Sequence, residues 1–179
     1  SINLVRKHAN SKEFKGNATI SSGSWDAYKG TVDISTPLNE KGSVRARVVA
    51  KYGDEDSFLN NYNKETTVLY GIVDADSSDD TKVFVGASHQ KNDASGSTWG
   101  GVPAWFSDGS ATSFSPSDSF TPEWTYWNTK TKIVFTNLAH YFDNDIKLHV
   151  NYSHIESNSD LKMAVLVYSG SPDKNTGLG

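Results

Sequence analysis

Residues 146–154 read IKLHVNYSH, and the order of those side chains decides the fold class. Ile146, Leu148, Val150 and Tyr152 alternate with Lys147, His149, Asn151 and Ser153. A period of two marks a β-strand with one apolar and one polar face. The pattern recurs upstream. SVRARVVAKY (43–52) sets Val44, Ala46, Val48 and Ala50 against Arg45, Arg47 and Lys51. GTVDIST (30–36) sets Val32 and Ile34 against Thr31, Asp33 and Ser35, and TKVFVGASHQ (81–90) alternates Val83, Val85 and Ala87 with Lys82, Phe84, Gly86 and Ser88. Less regular strands are expected over 15–23, 65–74 and 130–142, with apolar residues on both faces of the last two. Helical periodicity is nearly absent. The expected fold is all-β, an antiparallel up-and-down meander of seven strands. Most would be about 9–12 residues long, the length of a tilted membrane-crossing strand.

The connections alternate in kind. PLNEKG (37–42), DADSSDD (74–80) and DND (143–145) are short polar turns. Between them fall SSGSWDA (21–27), GDEDSFLNNYN (53–63) and a connection over 92–127, long enough to be functional. An irregular stretch is expected from His154 to the C-terminus. Short turns on one side and long loops on the other are the pattern of an outer-membrane barrel. Trp25, Tyr28, Tyr52, Tyr62, Tyr126, Trp127, Tyr141 and Phe142 gather at strand ends, where they could form interfacial girdles. A water-soluble sandwich would use the same alternation with the apolar face as core.

Composition narrows the partners. The chain has 179 residues, a net charge of −4, a pI near 5.7 and a mean hydropathy of −0.54, which disfavours nucleic acid. It has no cysteine, so disulfides, thiolate nucleophiles and zinc–thiolate sites are excluded. SINLVRKHAN at the start lacks the apolar core of a signal peptide, as expected of a mature protein or a chain that starts in mid-sequence. Yet 12% of the residues are aromatic, a high share for so polar a chain.

Longer segments resemble a known family. SINLVRKHAN (1–10) followed by residues 14–58, FKGNATISSGSWDAYKGTVDISTPLNEKGSVRARVVAKYGDEDSF, is similar to TonB-dependent outer-membrane ferric-siderophore receptors of the ferric-coprogen and ferripyoverdine, hydroxamate-type branch. The resemblance continues through DADSSDDTKVFVGASHQ (74–90), TWGGVP (98–103), SDG (107–109) and EWTYW (123–127), and thins beyond about residue 155. It implies that Ile2-Asn3-Leu4-Val5-Arg6-Lys7 closes a plug domain and that Gly23-Ser24-Trp25-Asp26-Ala27-Tyr28 lies in the first hairpin. Residues 1–12 would then be the end of the plug and its junction, and 13–179 the N-terminal portion of the barrel with its extracellular loops. Family barrels have roughly twenty-two strands around a plugged lumen. Seven strands cannot close one, so a partial chain is expected.

The resemblance further implies a non-enzymatic receptor in the bacterial outer membrane, a monomer that imports a ferric siderophore. Its partners would be that siderophore, membrane lipid, and the TonB energy-coupling complex acting through the plug. The siderophore itself would hold the ferric iron, and the protein would bind no cofactor directly.

The aromatic residues of the long connection are the candidate ligand site. Trp99, Trp105, Trp124 and Trp127 lie there with Tyr126, Phe106, Phe114 and Phe120, and no Lys or Arg occurs from 92 to 129. Aromatic walls suit a large, mostly neutral ligand by stacking and area burial. The resemblance places such aromatics around the ferric siderophore, with Trp99 and Trp127 on family motifs, followed by Trp105, Trp124 and Tyr126. Alternatively, Trp124, Tyr126 and Trp127 form a girdle, and Trp105 and Phe106 pack within the loop. Arg45, Arg47, Lys29 and Lys82 could attract an anionic chelate, but pairing with Asp33, Asp74 or plug carboxylates is the stronger expectation. His8, His89, His140, His149 and His154 lack metal-site spacing, and no nucleophile elbow, phosphate loop or nucleotide fingerprint occurs. Two other functions stay open: a soluble carbohydrate-binding β-sandwich, and a surface antigen or receptor used by phage or toxins.

Overall fold

The computed structural model describes residues 5–164 and 171–176, so Ile2, Asn3 and Leu4 of the plug-like segment and parts of the C-terminal stretch lie outside the described residues. The described residues form one seven-stranded sheet in sequence order, every neighbouring pair antiparallel. The strands are β1 (Lys15–Gly23), β2 (Ala27–Pro37), β3 (Val44–Asp56), β4 (Asn63–Asp76), β5 (Thr81–Ser95), β6 (Tyr126–Tyr141) and β7 (Lys147–Lys162). The expected meander is observed.

Several boundaries are corrected. The last five strands are 13 to 16 residues long, longer than expected. Residues 155–162, expected to be irregular, continue β7. The long connection is shorter at both ends than 92–127, because β5 runs to Ser95 and β6 starts at Tyr126. The expected loop 21–27 shrinks to Ser24, Trp25 and Asp26, whose last two residues take positive φ (57° and 48°) to reverse the chain. In each case the strand outlasts its apolar alternation. Backbone pairing continues after the reason for burying one face has ended.

Register assigns the faces that the sequence left open on β4 and β6. Val48 pairs with Gly71, Gly71 with Ala87, and Ala87 with Val134, so these share one face. Arg47 pairs with Ile72, Ile72 with Gly86, and Gly86 with Phe135, which share the other. Residues 5–12 lie across this second face as a strap, and its Ala9 is buried against Ile72 and Phe135 of the sheet, with Tyr70, Phe84 and Ile133 packed around. The first face is left uncovered although Val32, Ile34, Val48, Leu69, Val85, Val134 and Val150 are exposed on it. A soluble sandwich would bury that face against a second layer. Here the described residues form one layer with its aliphatic side bare, the arrangement of a barrel wall facing lipid. The sandwich is therefore set aside.

The covered face is a mixture of charge and aromatic rings. Asp33 accepts from Arg47 Nε and Nη2, both at 2.8 Å, and from Lys7 Nζ at 2.7 Å. Asp74 accepts from the Ala9 N–H at 2.6 Å and lies 2.7 Å from His8 Nδ1. Arg45 donates to the carbonyls of Ala9 and Gly42 and to Asp76. Lys29 pairs with Glu55. The basic residues Arg45, Arg47 and Lys29 are thus spent on structural pairs. The Tyr70 hydroxyl donates to the Lys7 carbonyl, and the Arg6 guanidinium sits 4.5 Å above the Phe135 ring.

Candidate functional site

The connection between β5 and β6 folds over the loop end of the sheet. Its neck is closed by the Gly96 N–H donating to the Thr125 carbonyl at 2.9 Å, beside the fully buried Thr125. Gly96 has φ +62°, and a Cβ there would collide with the Asn61 carbonyl. Glycine therefore lets the neck press against the β3–β4 connection. The two loops are also joined by the Asn60 N–H, which donates to the Ser117 carbonyl at 2.9 Å. Within the connection, Trp105 bridges Ala111 around a tight turn in which the Phe106 N–H donates to the Ser110 carbonyl. Asp108 caps that turn. Hydrogen bonds from the Ser110 hydroxyl and N–H hold its carboxyl below the usual carboxylate range.

Two clefts result. One, of about 540 Å³, has a largely apolar lining that includes Trp99, Val102, Pro103, Phe114 and Phe120. Phe114 and Phe120 meet edge to face at 5.1 Å. The other, of about 450 Å³, has a polar floor of Lys64, Gln90, Asn92 and Thr129, with Trp127 and Tyr62 beside it. Leu59 and Thr98 line both, so the clefts adjoin.

The five expected site residues separate. Trp99 lines the first cleft and is 66% exposed, its ring free to stack. Trp127 lines the second from the covered face of β6, fixed by its Nε1–H donating to Ser159 Oγ at 3.0 Å. Trp105, Trp124 and Tyr126 line neither cleft. Trp124 takes the Lys162 ammonium 5.0 Å from its ring, and the Tyr126 hydroxyl, on the outward face, lies 3.4 Å from Asp160. Leu59, Tyr62 and Lys64 were missed as site residues. Leu59 and Tyr62 were signalled by the length of the 53–63 connection and Tyr62 also as a strand-end aromatic, whereas Lys64 lies just beyond it on β4 and only folding brings it next to a segment that itself has no cation. Among the described residues, no group of three or more His, Asp or Glu is placed to hold a metal ion.

No family model matches the chain. It is 44% identical over 144 residues to the ferripyoverdine receptor of Pseudomonas aeruginosa, covering 80% of this chain and 18% of that one. The crystal structure of the ferripyoverdine receptor of the P. aeruginosa outer membrane, bound to ferripyoverdine, superposes with a TM-score of 0.88 at 39% identity, covering 96% of this chain and 23% of that one. This chain belongs to the TonB-dependent ferripyoverdine-receptor family. It spans about a fifth of the length of the curated relatives it matches. The seven strands are part of a siderophore-receptor barrel of the outer membrane, and the family is one of receptors rather than enzymes. A structure of the FpvAI–pyocin S2 complex also matches, with a TM-score of 0.85 at 40% identity over 90% of this chain and 22% of that one.

Proposed function

We propose that this chain forms part of the wall and outer mouth of a receptor for uptake of a ferric siderophore of the ferripyoverdine class, and that Trp99 and Trp127 touch the chelate. The observation that carries this is the pair of adjoining clefts, one apolar with Trp99 and one polar with Trp127 and Lys64. A bulky chelate has both kinds of surface: the first cleft offers aromatic area, and the second offers donors and a cation. Trp105, Trp124 and Tyr126 then belong to the support around the clefts. The siderophore supplies all the ligands of the iron. Residues 5–12 join a plug to the wall, and through that plug the TonB complex supplies energy to a receptor that works as a monomer.

The test is quenching of tryptophan fluorescence in the receptor carrying this segment, titrated with ferripyoverdine and with a simple ferric trihydroxamate chelate. Trp99→Ala and Trp127→Ala are each expected to weaken binding by about 1–2 kcal/mol, roughly five- to thirty-fold, for loss of one stacked ring. Unchanged affinity in both variants removes the cleft assignment. Preference for the hydroxamate chelate over ferripyoverdine would move the substrate class.

A second function is favoured by the relative solved with pyocin S2. The same loops would serve as a docking surface for a protein toxin. Binding of such a protein with ferric siderophore absent, and its loss on shortening the 98–121 loop, would establish it.

A further inference from the structure

The uncovered face of the sheet changes character abruptly along β5 and β6. Ala87 and Val134 are cross-strand partners within the aliphatic band. Two residues further towards the loop end, His89 stands opposite Lys132, and two further again Lys91 stands opposite Lys130. Three lysines and a histidine thus occupy a two-by-two block on the same outward face. Neighbours in such a block are about 5–7 Å apart at Cα. Like charges placed directly opposite across two strands destabilise the pair. The chain offers little relief: Lys91 is ion-paired with Asp93, while among the described residues Lys130 and Lys132 have no ion pair. Glu156, opposite Lys132, takes a hydrogen bond from Asn158 instead.

What flanks the block defines its partner. Towards the turn end lies bare aliphatic surface, which in a barrel wall meets acyl chains. Towards the loop end, the next outward row holds Glu65, Asp93 and Asp160, aligned through the register of β4 to β7. A large polyanion reaching up the wall would meet those carboxylates. A phosphate at the top of the acyl region meets the three lysines and His89, with Glu156 the one carboxylate beside them. We propose that Lys91, Lys130 and Lys132 form a docking site for the phosphorylated headgroup of an outer-leaflet lipid. The lipid's acyl chains would lie along Ala87, Val85 and Val134. This rests on the outward facing of these strands and is independent of how the siderophore binds.

The experiment uses the receptor carrying this segment, purified in a neutral detergent, with native mass spectrometry as the readout. The probes are lipid A with two phosphates, the same lipid after phosphatase treatment, and inorganic phosphate. The phosphorylated lipid is expected to be retained and the dephosphorylated one lost. Each basic residue near an anionic lipid surface is worth about 1 kcal/mol, roughly fivefold. Lys130→Gln with Lys132→Gln should therefore weaken retention by about 25-fold. Glu156→Gln should strengthen it. Neutralising Lys130 relieves its repulsion from Lys91, so the double variant should melt no lower than the parent, and Lys130→Arg with Lys132→Arg should restore retention. Equal retention of the two lipids, an unaffected double variant, failure of the arginine pair, or displacement by inorganic phosphate as effectively as by phosphorylated lipid would each overturn the proposal.

Discussion

Asp33 shows how a charge facing the inside of the wall is held. Its carboxylate takes two hydrogen bonds from Arg47 and one from Lys7, so it joins β2, β3 and the strap. Asp33→Asn keeps the shape and one acceptor oxygen but removes the charge, leaving the part-buried Arg47 guanidinium without a counter-ion and with only the amide oxygen and the His8 carbonyl to donate to. The expected cost is about 1–3 kcal/mol, between the values for exposed and buried pairs. It should appear as a lower melting temperature and as protease cleavage within residues 5–12, and resistance equal to the parent's would count against the strap. Asp108 is different because it is fully exposed and its hydrogen bonds are those with Ser110 of its own turn. Its carboxyl is lowered in the folded loop, so its contribution is complete above the ordinary carboxylate pKa and is lost as the pH falls through the lowered one. The protection factor of the Ser110 amide should fall over that acidic range, and Asp108→Ala should abolish the dependence. Pairing of the lumen charges was legible in the sequence, because unpaired charges are costly there. The identity of the partners was only partly legible. Asp33 and Arg47 are diagonal neighbours on one face of the β2–β3 pair, whereas Lys7 and His8 arrive from a segment with no periodic signal.

At the scale of elements, the sheet makes room for the strap by leaving out a side chain. A Cβ on Gly86 would fall 2.5 Å from Phe135 Cζ and 2.7 Å from the Gly71 carbonyl. Phe135 therefore lies over β5 at a glycine, within reach of Phe84, Tyr70 and Arg6. Gly86→Ala should cost about 1–3 kcal/mol by overpacking. In a Phe135→Leu background the same change should cost distinctly less, a coupling that a double-mutant cycle on melting free energies would read. Additivity would mean that the ring and the glycine do not share the space. Strand existence was legible in every case, but strand length was not. The outer portions of β5 and β7, residues 91–95 and 156–162, are polar apart from Ala94 and Leu161, so the two-residue period disappears while pairing continues. Trp127 was placed at a strand end by sequence, and register turned it towards the second cleft through its pairing with Ala94. Trp99 needed no register, since it lies on the loop itself.

For the whole molecule, the question is which face of the sheet meets lipid, because alternation alone fits a sandwich as well as a barrel. On β3 the outward residues Val44, Ala46, Val48, Ala50 and Tyr52 run for eight residue steps, about 26 Å along the strand. That is close to the apolar height of an outer-membrane barrel, with a tyrosine at its upper edge. Val48 lies at the middle of this run and is 55% exposed, whereas its neighbour Val49 points to the other face, opposite Asp33. One residue thus separates a lipid-facing site from a lumen-facing site of the same chemistry. In the receptor carrying this segment, Val48→Lys should cost about 2–4 kcal/mol for a lysine at the bilayer midplane. Val49→Lys places its ammonium near the Asp33 carboxylate and should cost less. Folding into lipid vesicles, followed by urea titration, measures both. If Val49→Lys proved the more damaging, the faces would be reversed. The lysine block would then point into the lumen, and Trp127 would face lipid instead of ligand.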